Sequence, residues 1–517
     1  MATDSTLTLK SMIEQVTHIY TNEELFGAAD GRTQTVEEFE KKIKSLAATY
    51  QDLGIEKGDR ISLISLPAIE HAVAYHAAAK IGAVPSTLHH RDIPGQLANN
   101  IDWIGSTVLV FQSQFSELVS KLPADRIPDQ TYIQIGEGTD ADLDRQQYSE
   151  VIEEGGSPEG DVDVVAEDPG QIVFTSGTTG RPKPITLSNE ALIESARSGQ
   201  HLYRGIRASD TKLMLFAPSF VAWHSHSAPF TNTGAKTVFL DEFDPTRVLN
   251  VIEREGITHM SMTPTMWKEV LEEGPEPYDL SSLKMALYGG EIGSPDLIDN
   301  VRERICDHVL TAYGTTETAG LGGGAVIHSS ELDMKGYQSV GRPMLNSDII
   351  IADVKKEKPK ELSRGELGEV LIKGPGVDPE IWGDASEYGD LTVDGWFLTG
   401  DLGYMDEDGY LFLEGRLDNL IISKGVNIQA EEVEAILDEH PDVRDIAIVG
   451  EPDEEWGQRI TAHVYTDTDL VEDELEEWCL DHDELSDFKR PRTYVFHSEE
   501  LPRTESGKLD RNALLSE

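Results

Sequence analysis

Apolar residues recur every three or four positions from Val36 through Phe39, Ile43, Leu46, Ala47 and Tyr50 to Leu53. That spacing puts them on one face of a helix. Thr35 with Glu38 three residues later forms a capping box at its start, and Gly54 stops it. The period then shortens. Residues 60–66 read as a strand, 68–80 as a helix, 83–88 as a strand, 94–104 as a helix and 107–111 as a strand. Strands alternating with helices predict a mostly parallel sheet with helices on its faces.

Residues 137–168 are acidic, rich in Gly and Asp, and weakly periodic, which predicts a surface excursion. The alternation resumes afterwards, with strands expected at 212–217, 237–240, 259–262, 285–288 and 309–313. Asp244-Pro245 and Ser294-Pro295 each pair an N-cap residue with proline at the first helical position. From about 340 to 415 the pattern changes to short strands and turns, at 348–351, 368–373, 396–399 and 409–413. A compact tail follows, with a strand at 420–422, a helix at 430–439 and strands at 445–449 and 460–465. The expected architecture is α/β: a large N-terminal domain over 1–417 with a β-rich subdomain near its end, and a smaller α+β domain over 418–517. A chain of 517 residues exceeds what one hydrophobic core supports, which agrees with two domains.

Charge adds a constraint on the setting. There are 95 acidic against 43 basic residues, a formal net charge of −52, and the acids are spread along the whole chain. Hydrophobic content of 38% still supports a globular fold. Such an acidic shell suits a high-salt cytoplasm, where screening acts within about 3 Å at 1 M salt. It opposes nucleic acid and anionic membranes as partners. No run reaches the ~18 apolar residues that span a bilayer, and the N-terminal residues show no secretion signal, so a cytoplasmic protein is expected. Cys306 and Cys479 are too few and too far apart for a disulfide framework or zinc motif, and are read as buried thiols. The oligomeric state is left open.

Six short stretches carry candidate chemistry. The run Thr175-Ser176-Gly177-Thr178-Thr179-Gly180-Arg181-Pro182-Lys183-Pro184 follows an apolar strand. Its glycines let backbone N–H groups approach an anion, its hydroxyls add donors and one can face Mg²⁺, and Lys183 adds charge. Ser, Thr and Gly are also ordinary turn residues. The usual P-loop has lysine directly after the glycine, which disfavours a nucleotide kinase or GTPase. Gly289-Gly290-Glu291 and Tyr313-Gly314-Thr315-Thr316-Glu317 each follow a predicted strand, where ligands sit in open α/β sheets. Simple turns are the alternative at both. Thr399-Gly400-Asp401 sets a carboxylate after a Thr-Gly turn, able to accept two ribose hydroxyls or to close an Asx-turn. Arg416 beside Leu417 and Asp418 can clamp phosphate or form an interdomain salt bridge. Ser506-Gly507-Lys508 offers a lysine on a late loop, either a phosphate ligand or an exposed tail residue.

In this order and spacing the six stretches resemble the adenylate-forming superfamily of acyl-CoA and aryl-CoA synthetases, luciferase-like enzymes and peptide synthetase adenylation domains. The resemblance covers nearly the whole chain. It implies layered α/β subdomains with a small β-barrel, and a mobile C-terminal domain. It implies that Thr175 to Gly180, with Lys183, hold the β- and γ-phosphates of ATP, and that Gly290, with Glu291, and Tyr313 flank adenine. Thr316, in the segment with Gly314 and Thr315, would touch the α-phosphate. Thr178 and Glu317 would serve Mg²⁺, Asp401 the ribose with Arg416 beside it, and Lys508 the reacting carboxylate and α-phosphate. Asp418 would be the hinge, and Ser423-Lys424-Gly425 would move in beside the CoA thiol. The implied activity is AMP-forming acid:CoA ligation with ATP, Mg²⁺ and CoA. A ligase loading a separate carrier protein, luciferase-like oxidation and a non-catalytic nucleotide-binding protein are the alternatives. The chain ends about nine residues past Lys508, so a fused carrier is not expected.

Departures fall at three places. Pro184 stands where the family usually has glycine. Asn419 leaves only Asp418 for the hinge. The stretch Pro218 to His226 is expected as a strand lining the acyl pocket, where Phe220 or Val221 fits the gating position by spacing and Trp223 or His224 by chemistry. The histidines there are otherwise polar loop residues. Met260, Met262, Thr263, Gly290 and the run Gly320 to Ala325 complete the pocket candidates. The glycines of that run either open a channel for a long chain or form a flexible loop, while the two methionines read better as core.

Overall fold

The computed structural model describes residues 7–21, 23–138, 143–175, 182–290, 293–345, 347–353, 359–383, 391–423, 426–453, 456–482, 485, 487–503 and 509–515. They form two compact units. One comprises the chain up to Thr175, Lys183–Ile349 and Ile372–Phe397; the other comprises chiefly Ile350–Leu371 and the chain from Leu398 onward.

Two sheets build the first unit. Among the described residues one has eight strands, in the order Glu380–Ile381, Lys183–Ser188, Pro169–Thr175, Val84–Thr87, Arg60–Ile64, Val108–Gln112, Thr131–Ile135, Arg145–Gln147. Its pairs are parallel except where Lys183–Ser188 folds back on Pro169–Thr175 and Glu380–Ile381 adds to that edge. The other sheet has a parallel centre, Val309–Tyr313, Met285–Tyr288, His259–Met262, Thr211–Met214, Lys236–Phe239 and Glu24–Ala28. Thr33–Thr35, Ala325–His328 and Ser339–Pro343 extend it antiparallel.

The capping signals resolve as expected. Thr35 caps Val36–Asp52 with Glu38 returning to its backbone. Asp244 and Ser294 cap Pro245–Glu255 and Pro295–Arg304. Three helices, Ile69–Lys80, Asn189–Leu202 and Val221–Thr231, share a core with strands of both sheets. Being buried on nearly every side, Ile69–Lys80 and Val221–Thr231 lack a polar face.

Two expectations are corrected. The weakly periodic segment 137–168 is more than a surface excursion: Arg145–Gln147 is a strand and Tyr148–Glu154 a helix that buries Tyr148 and Val151. The stretch from Val221 is a helix, not a strand, and His224 and His226 are buried within it rather than in a loop.

In the second unit Trp396–Met405 continues beside Gly368–Lys373 and pairs antiparallel with Leu411–Arg416. Further on, Asp445–Asp453 and Gly457–Tyr465 form a long hairpin, joined by Thr493–His497 and by Leu420–Ser423 with Val426–Gln429. The helices Ala430–Asp438 and Glu472–Asp481 cover it over a core that includes Ile448, Val464, Leu437 and Leu475. Cys306 and Cys479 are buried free thiols, as expected. Among the described residues no helix is long and apolar enough to cross a membrane.

Candidate functional site

In the first unit the neighbouring parallel strands Met285–Tyr288 and Val309–Tyr313 end side by side, with Tyr288 opposite Thr311. This register sets Gly290 and the 313–317 segment at adjacent strand ends, the position where open parallel sheets bind ligands. Gly290 has φ +85°, and among the described residues a Cβ there would meet nothing within 4 Å. Tyr313 is half-buried at the end of its strand. Thr316 and Glu317 are half-buried on the short turn Thr316–Thr318, tied by the Thr318 hydroxyl, which donates to the Thr315 carbonyl at 3.1 Å. Gly314 has a packing reason as well: a Cβ there would lie 1.9 Å from the Gly320 carbonyl.

Thr175 closes the strand Pro169–Thr175 and pairs with Lys183, so the two ends of the glycine-rich loop are held together. Ser176, Gly177, Thr178, Thr179, Gly180 and Glu291 lie outside the described residues, as do Lys424, Gly425 and Lys508. Pro184 is not in a loop. It is buried in the strand Lys183–Ser188 opposite Phe174, and its carbonyl accepts from Trp382 N at 2.9 Å.

In the second unit Thr399-Gly400-Asp401 is no turn; it lies inside a ten-residue strand. Arg416 is the register partner of Asp401 and donates to its carboxylate at 2.7 Å and to the Thr399 carbonyl at 3.2 Å. The alternative of an interdomain salt bridge gives way to this cross-strand pair. Thr399 donates to the Val370 carbonyl at 2.7 Å, and Gly400 N donates to Glu369 at 3.0 Å. Gly400, at φ +71°, lets the guanidinium pass: a Cβ would be 3.1 Å from it. Asp418 lies in the turn Leu417–Asn419, and Ser423 ends the strand Leu420–Ser423, buried.

The acyl-pocket candidates separate. Phe220 is 37% exposed, 5.4 Å from the His89 ring, and caps the helix that begins at Val221. Trp223 packs edge-on against His71 and Tyr75. His224 lies 3.1 Å from the Leu192 carbonyl and 3.4 Å from the Tyr75 hydroxyl. Both are core residues in this structure. Burial holds His71 and His76 down to about 3 and His224 to about 4, so all three are neutral at pH 7. Met260 and Met262 are fully buried core residues.

A second buried polar group escaped the sequence reading. Lys212 is fully buried, with Nζ 2.6 Å from the Ser261 hydroxyl and 3.2 Å from the Tyr203 hydroxyl. Tyr203 also meets His226 Nδ1 at 2.7 Å. Burial pushes Lys212 well below the ordinary lysine range, and pushes His226 down too, with the nearby lysine adding to the effect. The available signal was a lysine set directly before the apolar run 213–217.

The AMP-binding enzyme family matches residues 14–382, and its C-terminal domain matches residues 432–508. A fatty acid–[acyl-carrier-protein] ligase of Streptomyces coeruleorubidus is 28% identical over 94% of this chain and 92% of its own length. A long-chain-fatty-acid–CoA ligase of Mycobacterium tuberculosis is 28% identical over 89% and 88%. The solved o-succinylbenzoate CoA synthetase of Bacillus subtilis, in complex with its acyl-adenylate intermediate, superposes with a TM-score of 0.83 at 26% identity, covering 97% of each chain.

Proposed function

The chain belongs to the AMP-binding enzyme family, and from that premise we propose that it is an ATP-dependent, AMP-forming acid:CoA ligase. The observation that carries the proposal is the grouping of Gly290, Tyr313, Thr316 and Glu317 at the ends of two paired parallel strands. A carboxylic acid attacks the α-phosphate of ATP, giving an acyl-adenylate and pyrophosphate. The CoA thiol then attacks the acyl carbon and releases AMP.

Each residue has one task in this reading. Thr175 to Gly180 and Lys183 hold the departing β- and γ-phosphates. Gly290, Glu291 and Tyr313 bound the adenine, and Asp401 accepts from the ribose hydroxyls while Arg416 orients its carboxylate. Thr316, backed by Gly314 and Thr315, donates to the α-phosphate. Glu317 and Thr178 would hold Mg²⁺, which supplies charge neutralisation, and their carboxylate and hydroxyl oxygens suit a hard cation. Lys508 draws the substrate carboxylate and α-phosphate together; two anions approach, so a placed positive charge lowers the barrier. The division that matters for the reaction lies at 417/418, within the second compact unit; Asp418 is the hinge, and Ser423-Lys424-Gly425 serve the thiol half-reaction. No protein nucleophile is required. The reaction runs in the cytoplasm, where ATP and CoA are available.

The test is AMP and thioester formation in molar KCl from an acid, ATP and Mg²⁺, with and without CoA. CoA-dependent AMP release is expected. Stimulation by a phosphopantetheinyl carrier protein in place of CoA would move the chain to carrier loading, as in the Streptomyces relative.

A further inference from the structure

The run that follows Glu317 is neither an open channel nor a flexible loop. Ala319 and Gly320 both take left-handed backbone, at φ 51° and 72°, and turn the chain back on itself. Gly320 N donates to the Thr315 carbonyl at 2.9 Å, so the return passes directly against the 313–317 segment. The Ala319 carbonyl accepts from the Ser195 hydroxyl on Asn189–Leu202 at 2.6 Å. The glycines beyond it are seats for neighbouring atoms. A Cβ at Gly320 would be 2.7 Å from the Ser225 hydroxyl on Val221–Thr231, and one at Gly323 would be 2.4 Å from Val377. At Gly322 it would be 2.6 Å from the Thr318 carbonyl, and at Gly324 1.9 Å from the Tyr313 carbonyl. Glycine is used here for close approach of backbone.

Leu321 projects from the middle of this strap. It is buried in one cluster with Tyr203, Phe230, Leu287 and Leu310, where the two helices meet the sheet. Its Cδ1 would lie 3.4 Å from a Cβ at Gly199, the position where Asn189–Leu202 touches Pro229. Leu321 thus fills space between the two helices and the sheet.

We infer that the strap at 318–324 seals the inner end of the acyl site, that Leu321 is the stop for the acyl group, and that the acid activated is compact: a short aliphatic chain or a single ring. This rests on the assignment of Thr316 to the α-phosphate: the acyl group bonded to that phosphate would begin beside Thr316, and the neighbouring turn at Gly320 is bonded to Thr315 and packs against Val221 and Ser225. A long chain running from there past Gly320 would meet Leu321 and its cluster. The relatives' acids are both long and aryl, so kinship does not choose between them.

Pyrophosphate release by the full-length protein in molar KCl, compared across acetate, butyrate, hexanoate, benzoate, dodecanoate and palmitate, tests this. One of the first four is expected to give the highest kcat/KM, with dodecanoate and palmitate lower by about 100-fold or more. Leu321→Ala, checked for folding by ATP binding, is expected to raise dodecanoate relative to butyrate by about tenfold. Native preference for dodecanoate or palmitate would overturn the inference while leaving the ligase reading intact. An unchanged length profile in a folded Leu321→Ala protein would remove Leu321 as the stop. Release with no acid at all, in protein that binds ATP, would sink the ligase reading together with the inference.

Discussion

Arg416 reaches across an antiparallel pair to the Asp401 carboxylate at 2.7 Å, and the two residues are register partners in the sheet. The guanidinium is partly exposed and the carboxylate nearly buried, with side-chain exposures of 44% and 12%. The arrangement points a fixed pair of acceptor oxygens rather than a mobile one. Asp401→Asn keeps the shape and removes the charge. It is expected to raise the KM for ATP by about 10- to 100-fold, the scale of one or two lost charge-assisted hydrogen bonds, with Tm nearly unchanged. Steady-state kinetics with ATP varied checks this.

Lys508→Ala is expected to lower acyl-adenylate formation by about 100-fold or more, the scale of removing one placed charge from a transition state. ATP affinity should remain. Thioester formation from a synthetic acyl-adenylate and CoA should also remain, since that step does not use the lysine. Equal adenylation in the variant would remove Lys508 from its assigned role.

Burial gives the protein an acid limit. His71, His76 and His224 have folded-state values of about 3, 3 and 4, all below the ordinary histidine value. The unfolded chain therefore binds more protons below about pH 6.5. The stability these neutral rings support is complete above that pH and is lost as pH falls toward 3–4. Each contributes a slope of about 1.4 kcal/mol per pH unit inside the window. His71→Phe is expected to move the acid unfolding midpoint downward, measured by circular dichroism at constant molar salt. A midpoint that does not move would show that His71 does not drive the transition.

Lys212 is a fully buried amine bonded to two hydroxyls. Its lowered value means that the folded chain binds this proton less tightly than the unfolded chain, a cost to folding that shrinks as pH rises and is gone above the ordinary lysine value. Lys212→Met fills the same space without that cost. Tyr203 keeps its bonds to His226 and Ser261 in the variant. A gain on the order of 1–3 kcal/mol at pH 7 is expected, shrinking toward pH 10. Denaturant melts at the two pH values decide; a loss at pH 7 would show that the amine's hydrogen bonds outweigh its desolvation.

A net charge of −52 should make the fold depend on salt. The Tm is expected to rise steeply between dilute buffer and multimolar KCl, since at 0.01 M the Debye length of about 30 Å lets acids repel across most of a domain. A Tm indifferent to KCl would contradict a halophilic setting.

Local signals in the chain were readable where the physics is local. Asp244-Pro245 and Ser294-Pro295 begin helices because cap and proline act within one turn. The strands His259–Met262, Met285–Tyr288 and Val309–Tyr313 have the bounds their apolar runs predict. Leu9–Ile19 is likewise legible: Leu9, Met12, Ile13 and Val16 share one face, and Thr8 with Ser11 closes a capping box. Val221–Thr231 was not legible, because a helix buried on nearly every side has no polar face to impose a period and this one includes Pro229.

By itself the sequence determined the alternating α/β plan, the order of the nucleotide-binding stretches and the acidic shell, all of which depend on residue type and short spacing. Only the tertiary structure decided the uses of particular residues. Asp401 became the partner of Arg416 through strand register. Trp223 and His224 went to the core because the helix from Val221 lies between others. The glycines at 320–324 became packing seats because distant atoms close on them. Register and packing bring together residues far apart in the chain, and no local pattern encodes which neighbour will arrive.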